Sequence, residues 1–257
     1  MMDTGLNGSI VLVTGGAGGI GQAICKEFAA EGAKVIIHYN NSEESANSLA
    51  DEIGGLATKA NLANEKETIG MFEGIISRYG KIDICIANAG YYPPEASPLW
   101  EIGLDRWNST IQNNLNVTVN TAKQFLLNAK NIGTGSLILI GSTAGIYGEA
   151  GHSDYAAAKG AITTGLLMSL KNEVATIGNI RVNAVAPGWT ITPKKVEHGI
   201  DENTINLATA TMALKKLATP EDVARVCISL SSDAISGHVT GQVIEVAGGM
   251  EGRLIYS

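Results

Sequence analysis

The chain has 257 residues, of which 45% are hydrophobic, and a formal net charge of −7 at pH 7. That length supports a sizeable core, as one large domain or two small ones. The acidic balance argues against a phosphate-backbone partner, so no nucleic-acid module is expected.

No run of 18 apolar residues is long enough to span a membrane, and the opening MMDTGLNGS lacks the blocks of a secretion signal. Cys25, Cys85 and Cys227 are odd in number and sit in apolar patterns. They read as free thiols in a reducing compartment, which gives a cytoplasmic expectation. His38, His152, His198 and His238 show no ligand spacing, so no metal site is expected.

In chain order, SIVLVT (9–14) reads as a buried strand, and Ile20 to Gly32 as a helix ending in glycine. KVIIHY (34–39) is a second strand. SEESANSLADEI opens a helix with a Ser42 cap and with Glu43 and Glu44 as first-turn charges. LATKA (56–60) reads as a strand, Asn64 to Gly80 as a helix, and Lys81 to Gly90 as a strand ending in a turn. A long helix is predicted from Leu104 to Lys130, then strand 136–142, helix 154–178, strand 180–188, helix 220–232 and strand 241–249. Near-continuous Val/Ile/Leu strands suit a parallel sheet buried on both faces. The alternation predicts one α/β domain over residues 1–257, doubly wound, with about seven strands and helices on both faces.

Between the first strand and first helix stands TGGAGGIG (14–21), with glycines at 15, 19 and 21. Glycines there let the backbone turn sharply, and a helix start offers N–H groups to a pyrophosphate. The spacing differs from the general dinucleotide fingerprint, but strand before and helix after point to a dinucleotide. An acidic ribose ligand is expected at the end of strand two. Tyr39 stands there instead, followed by Asn40, Asn41 and Ser42. Amide and hydroxyl donors without a carboxylate favour NADP(H) and leave NAD(H) open.

TGGAGGIG, ANAG (87–90), NNL (113–115), GSTAG (141–145), YAAAK (155–159) and VAPGWTIT (185–192) occur in this order. Together with GQVIEVAGGM they resemble the single-domain short-chain dehydrogenase/reductases over essentially the whole chain. The wording is closest to the 3-oxoacyl-acyl-carrier-protein reductases, and sugar and polyol dehydrogenases share much of it. The resemblance implies a Rossmann-type fold and a catalytic set. Tyr155 would be the acid/base, Lys159 would lower its pKa and hold the nicotinamide ribose, Ser142 would orient the substrate oxygen, and Asn114 would anchor a proton-relay water. Cofactor contacts are implied for Gly15, Gly18, Gly19, Ile20 and Gly21 at the pyrophosphate, and for Tyr39, Asn40, Asn41 and Ser42 at the adenosine ribose. Asn61 and Leu62 would lie at the adenine, with Asn88, Ala89 and Gly90 beside them. Tyr155, Lys159, Pro187, Gly188, Thr190 and Thr192 would lie at the nicotinamide end. A homotetramer is implied by the same likeness. Three positions depart from the pattern: Asn61 replaces an aspartate, Thr190 an isoleucine, and Ala17–Gly18 a segment that often holds an arginine.

Tyr155 and Lys159 lie four apart, on one helix face. A free phenol, with a pKa near 10, exchanges protons poorly at pH 7. A neighbouring ammonium favours the phenolate, as does the positive charge of oxidised nicotinamide; a fall of about 3 units corresponds to about 4 kcal/mol and would bring the group towards working pH. Residues 193–216 are expected to form a substrate lid, in which Lys194, Lys195, Lys215 and Lys216 would offer a basic patch to an acidic carrier. Tyr91 to Gly103 form a second, partly apolar rim loop, and His152 a rim residue. The reading is a carbonyl/secondary-alcohol oxidoreductase acting on a small molecule or acyl thioester, foremost a 3-oxoacyl thioester. A sugar, polyol or small ketone is the alternative substrate, and a non-catalytic cofactor-binding regulator the alternative of another class.

Overall fold

The computed structural model describes residues 3–192, 199 and 201–251. Seven strands among them form a single sheet: β1 (Ile10–Val13), β2 (Lys34–Tyr39), β3 (Leu56–Lys59), β4 (Ile84–Ala87), β5 (Thr134–Ile140), β6 (Asn179–Pro187) and β7 (Val243–Val246). Their order is β3-β2-β1-β4-β5-β6-β7, every pairing parallel.

Alternate residues of β1, β2, β4, β5 and β6 enter two separate cores. Leu12, Ile36, Cys85, Leu137, Leu139 and Val182 pack on one face against Met71 and Phe72 of α3 (Glu65–Tyr79) and Phe125 of α5 (Val117–Ile132). Val11, Val13, Ile37, Ile86 and Ile138 pack on the other. Their partners are Ile24 and Phe28 of α1 (Gly19–Ala30), Leu49 of α2 (Glu43–Ile53) and Val223 and Cys227 of α10 (Pro220–Ser231). Burial on both faces is why these strands carry no polar alternation. Cys25, Cys85 and Cys227 are free and buried. No helix of the described residues is long and apolar enough to cross a membrane.

The remaining helices are α4 (Leu104–Ile111), α6 (Ala144–Tyr147), α7 (Ser153–Ala161), α8 (Leu167–Glu173), α9 (Glu202–Ala208) and α11 (Asp233–Ser236). Two predicted long helices depart from expectation. α4 and α5 are joined by a π-turn at Gln112–Asn116, and α7 and α8 by another at Ile162–Leu166. The expected Ser42 cap is also corrected. Ser42 occupies the N-cap position of α2, but its hydroxyl makes no capping bond.

Strand order reverses about β1, which has β2 on one side and β4 on the other. In an open α/β sheet this switch point opens a crevice at the carboxyl ends of the strands.

Candidate active site

The loop after β1 is held in place from both sides. Gly15 adopts φ +62°, and a Cβ on Gly21 would lie 2.2 Å from the Gly15 carbonyl oxygen. Only glycine fits there, because the obstacle is backbone. Gly18 is the N-cap of α1, so no side chain caps the first N–H groups of that helix, as anion binding at a helix start requires. Asn88 donates through Nδ2 to Thr14 O (2.9 Å) and Gly15 O (3.2 Å). Thr14 Oγ1 accepts from the N–H groups of Asn88 (2.9 Å) and Ala89 (3.0 Å). From the opposite side His38 Nδ1 accepts the Gly15 N–H at 3.0 Å.

At the ends of β2 and β3, Asn40, Asn41 and Ser42 are exposed. Tyr39 hydrogen-bonds the carboxylate of Glu43, and desolvation together with that negative charge raises its pKa. Glu43 therefore does more than charge a helix start: it sets a carboxylate beside the expected ribose position. Asn61 is exposed, and its Oδ1 accepts from Ala63 N–H at 3.1 Å. An amide oxygen retains a second lone pair for a further donor. Leu62 packs its side chain into the core instead.

Across β4, β5 and β6 lies a cleft of about 860 Å³. Its lining includes Ile20, Asn88, Gly90, Asn114, Ser142, Tyr155, Lys159, Pro187, Gly188, Thr190 and Thr192. Residues separated by up to about 170 positions in sequence thus share one cavity. The glycine loop, Tyr39 to Ser42, Asn61 and Leu62 lie towards the β1–β3 end of the same sheet edge.

Ser142 follows β5, where its Oγ accepts from Ala144 N–H (3.1 Å) and hydrogen-bonds the Tyr155 hydroxyl. Lys159 is buried, and its Nζ donates to Ile140 O at 2.9 Å. That single bond leaves two ammonium donors beside the cleft, and together with the glycine cradle it fits a ribose and pyrophosphate.

The expected lowering of the Tyr155 phenol is not produced by the protein groups. Burial pushes it up to about 12; the Ser142 hydrogen bond opposes that rise and the Glu149 charge adds to it. Burial likewise pushes Lys159 down to about 8. The ammonium lies 5.8 Å from the Tyr155 ring centroid and spends a donor on Ile140 O, so desolvation outweighs its pull on the phenol. Asn114 is fully buried in the π-turn. Its Nδ2 donates to Tyr91 O (2.8 Å) and Thr110 O (3.0 Å), and its Oδ1 accepts from Tyr91 N–H (3.1 Å). The side chain thus ties the rim loop after β4 to the helix.

Several residues at the site carried no sequence signal. Arg106 Nε donates to Asp154 Oδ2 at 3.0 Å, 48 positions away, and Thr110 Oγ1 donates to the same oxygen at 2.8 Å. Asp154 is fully buried. Burial raises its pKa, but the bonds from Arg106, Thr110 and the Tyr155 backbone hold the carboxyl below the usual carboxylate range. The pair fixes the first turn of α7 next to Tyr155. Tyr92 stands edge-on to Tyr155 with ring centroids 5.0 Å apart, stacks on His152 at 4.6 Å, and donates to Glu149. His152 is buried rather than on the rim, bonded through Nε2 to Pro93 O at 3.1 Å. On the expected lid, Thr204, Leu207, Ala208 and Thr211 line the cleft. Lys194 and Lys195 lie outside the described residues. Lys215 Nζ donates to Thr209 O and Ala210 O, each at 3.0 Å, which occupies it at the end of α9.

The family model described as "Enoyl-(Acyl carrier protein) reductase" matches residues 15–251. The 3-oxoacyl-[acyl-carrier-protein] reductase FabG of Thermotoga maritima is 35% identical over 253 residues, covering 95% of this chain and 98% of the relative. The acetoacetyl-CoA reductase of Cupriavidus necator is 31% identical over 246 residues (94% and 97%). The cis-4-hydroxycyclohexanecarboxylate dehydrogenase of Sinomonas cyclohexanicum is 32% identical over 243 residues (93% and 95%). The chain belongs to the short-chain dehydrogenase/reductase family and is a nicotinamide-dependent oxidoreductase acting between alcohol and carbonyl groups.

Proposed function

We propose that the protein reduces the keto group of a 3-oxoacyl thioester to a secondary alcohol, with NADPH as the preferred donor. The observation that carries this reading is the gathering of Ser142, Tyr155 and Lys159 on one cleft beside the glycine loop. The thioester is favoured because relatives named as 3-oxoacyl-carrier-protein and acetoacetyl-CoA reductases align along nearly the whole chain.

When bound, the nicotinamide supplies the hydride. Ser142 Oγ and Tyr155 Oη, bonded to each other, receive the substrate oxygen and stabilise its growing negative charge. Tyr155 is protonated at neutral pH, since burial holds its pKa up at about 12, and it gives its proton to that oxygen. Lys159, fixed by Ile140 O, offers its two remaining donors to a ribose. Asn114 holds Tyr91 and the rim loop in place. Tyr91, Tyr92, Tyr147 and Trp189 give the cleft an aromatic wall. Residues 1–257 are read as one cofactor-binding domain, with 193–216 as a substrate lid.

A second reading has its own support. Glu43 beside Tyr39 would repel a 2′-phosphate and favour NAD(H), and Glu149 and Glu251 on the cleft suit a hydroxylated substrate. Under it the enzyme oxidises a polyol or a cyclic alcohol, as the name of the Sinomonas relative suggests for that protein. Exposed Val119, Leu127 and Met168 on α5 and α8 support a homotetramer, and the buried free thiols support a cytoplasmic location. The test measures nicotinamide consumption by purified protein with acetoacetyl-CoA and NADPH, and cofactor reduction with polyols and cyclohexanols and NAD. Faster acetoacetyl-CoA turnover with NADPH supports the first reading; turnover confined to alcohols with NAD replaces it with the second.

A further inference from the structure

His38 is a polar residue in a strand, KVIIHY, that is otherwise built for a two-faced core. It is 2% exposed. A buried imidazole is costly unless both nitrogens are satisfied, and both are. Nδ1 accepts the N–H of Gly15 at 3.0 Å, and Nε2 donates to the carbonyl of Ala60 at 2.9 Å. These partners fix one tautomer, with the proton on Nε2. The backbone of the same residue adds a third tie, because the Gly16 N–H donates to the His38 carbonyl at 2.9 Å.

The two ends of this bridge differ in kind. Gly15 is the left-handed turn, φ +62°, on which the loop between β1 and α1 is built. Ala60 directly follows β3 and immediately precedes Asn61, and its N–H donates to Tyr39 O at 3.1 Å. The ring thus connects the pyrophosphate side of the expected cofactor site to its adenine side. Asn88 and Thr14 hold the loop from β4, and His38 holds it from β2. An aliphatic side chain would fill the space without the bridge.

We propose that His38 is a positioning residue for the cofactor, its imidazole holding the glycine loop and the β3 end at the separation that receives the adenosine diphosphate half. The proposal rests on the reading of Gly15 to Gly21 as the cofactor loop. His38 touches no reacting atom in this account, so its effect falls on cofactor affinity and not on the chemical step.

The experiment compares His38→Leu, His38→Gln and Gly21→Ala with the wild type, by nicotinamide fluorescence titration and by turnover at saturating cofactor. His38→Leu is expected to raise the cofactor Kd about tenfold or more, the scale of one lost hydrogen bond to a neutral partner, with kcat at saturation nearly unchanged. Glutamine, which carries an acceptor and a donor on a longer stem, is expected to recover part of the affinity. Should the leucine variant not fold, His38→Asn, too short to reach both partners, is read in the same way. A folded His38→Leu protein with wild-type Kd overturns the proposal. So does one whose kcat and melting temperature fall while Kd stays put. Gly21→Ala separates the two layers of the argument. If it abolishes cofactor binding while His38→Leu does not, only the role of His38 fails; if Gly21→Ala binds normally, the cofactor-loop reading itself fails.

Discussion

The contact between α6 and α7 sets the position of the residues proposed for catalysis, and Gly145 is where it can be perturbed. A Cβ on Gly145 would lie 2.5 Å from both Gly160 N and Lys159 C, and 3.0 Å from Gly160 Cα. All three obstacles are backbone, so no rotamer change relieves them. From 2.5 Å to the 3.4 Å at which ordinary contact begins, α7 has to retreat by about 0.9 Å. Overpacking of this kind costs about 1–3 kcal/mol, which in a protein of this size lowers Tm by roughly 2–4 °C for each kcal/mol. The larger effect falls on activity. Tyr155 and Lys159 ride on α7, and a misplacement of about 1 Å in a reacting group costs about 100-fold in rate. Gly145→Ala is therefore expected to keep its fold, to melt several degrees earlier and to lose about two orders of magnitude in kcat. Gly74→Ala in α3, where the added methyl meets nothing within 4 Å, serves as the control and should gain about 0.5–1 kcal/mol. Thermal melts and steady-state turnover of both variants give the answer. A Gly145→Ala protein with wild-type Tm and kcat would refute the claim that this glycine contact positions the catalytic helix.

Other consequences follow from the buried charges. Arg106→Ala strands the fully buried Asp154 carboxylate and should destabilise the fold by about 3–5 kcal/mol, read by urea denaturation; a loss below 1 kcal/mol would show that the pair is not structural. His38 has its pKa lowered by burial to about 4 from 6.5, so the unfolded chain binds the proton first. The stability this contributes is complete above pH 6.5 and is lost as pH falls from 6.5 through about 4, by about 3 kcal/mol in total. Denaturation at pH 7 and pH 4 should show that part of the acid loss missing from His38→Leu. Because Tyr155 is held protonated, alcohol oxidation should rise steeply with pH from neutrality while carbonyl reduction stays flat until the phenol ionises; oxidation that does not vary with pH would contradict Tyr155 as the base.

The sheet was legible because its strands are short, apolar and flanked by turn residues, so KVIIHY is read to its observed bounds. The glycine loop, Ser142, Tyr155 and Lys159 were legible as motifs, and the fold brings the last three to one cleft. The π-turn around Asn114 was not legible, since no local residue type marks where one extra residue enters a helical turn. Arg106 and Asp154 pair across 48 positions, which no local pattern encodes. His38 read as one of four scattered histidines because its partners, Gly15 and Ala60, contribute only backbone atoms. The upward shift of the Tyr155 phenol in the protein alone was not legible for a related reason. Spacing places Lys159 on the same helix face, but the ammonium bonds Ile140 O and burial dominates.

The most direct test of the central claim is Tyr155→Phe, assayed for cofactor binding and for turnover on the same preparation. The account predicts a Kd for nicotinamide cofactor close to wild type and a fall in kcat of at least about 100-fold, the lower end of what a general acid contributes. A Tyr155→Phe protein that binds cofactor and turns over at the wild-type rate would contradict it, and would leave the Tyr155–Lys159 helix as part of a cofactor-binding scaffold without a catalytic tyrosine.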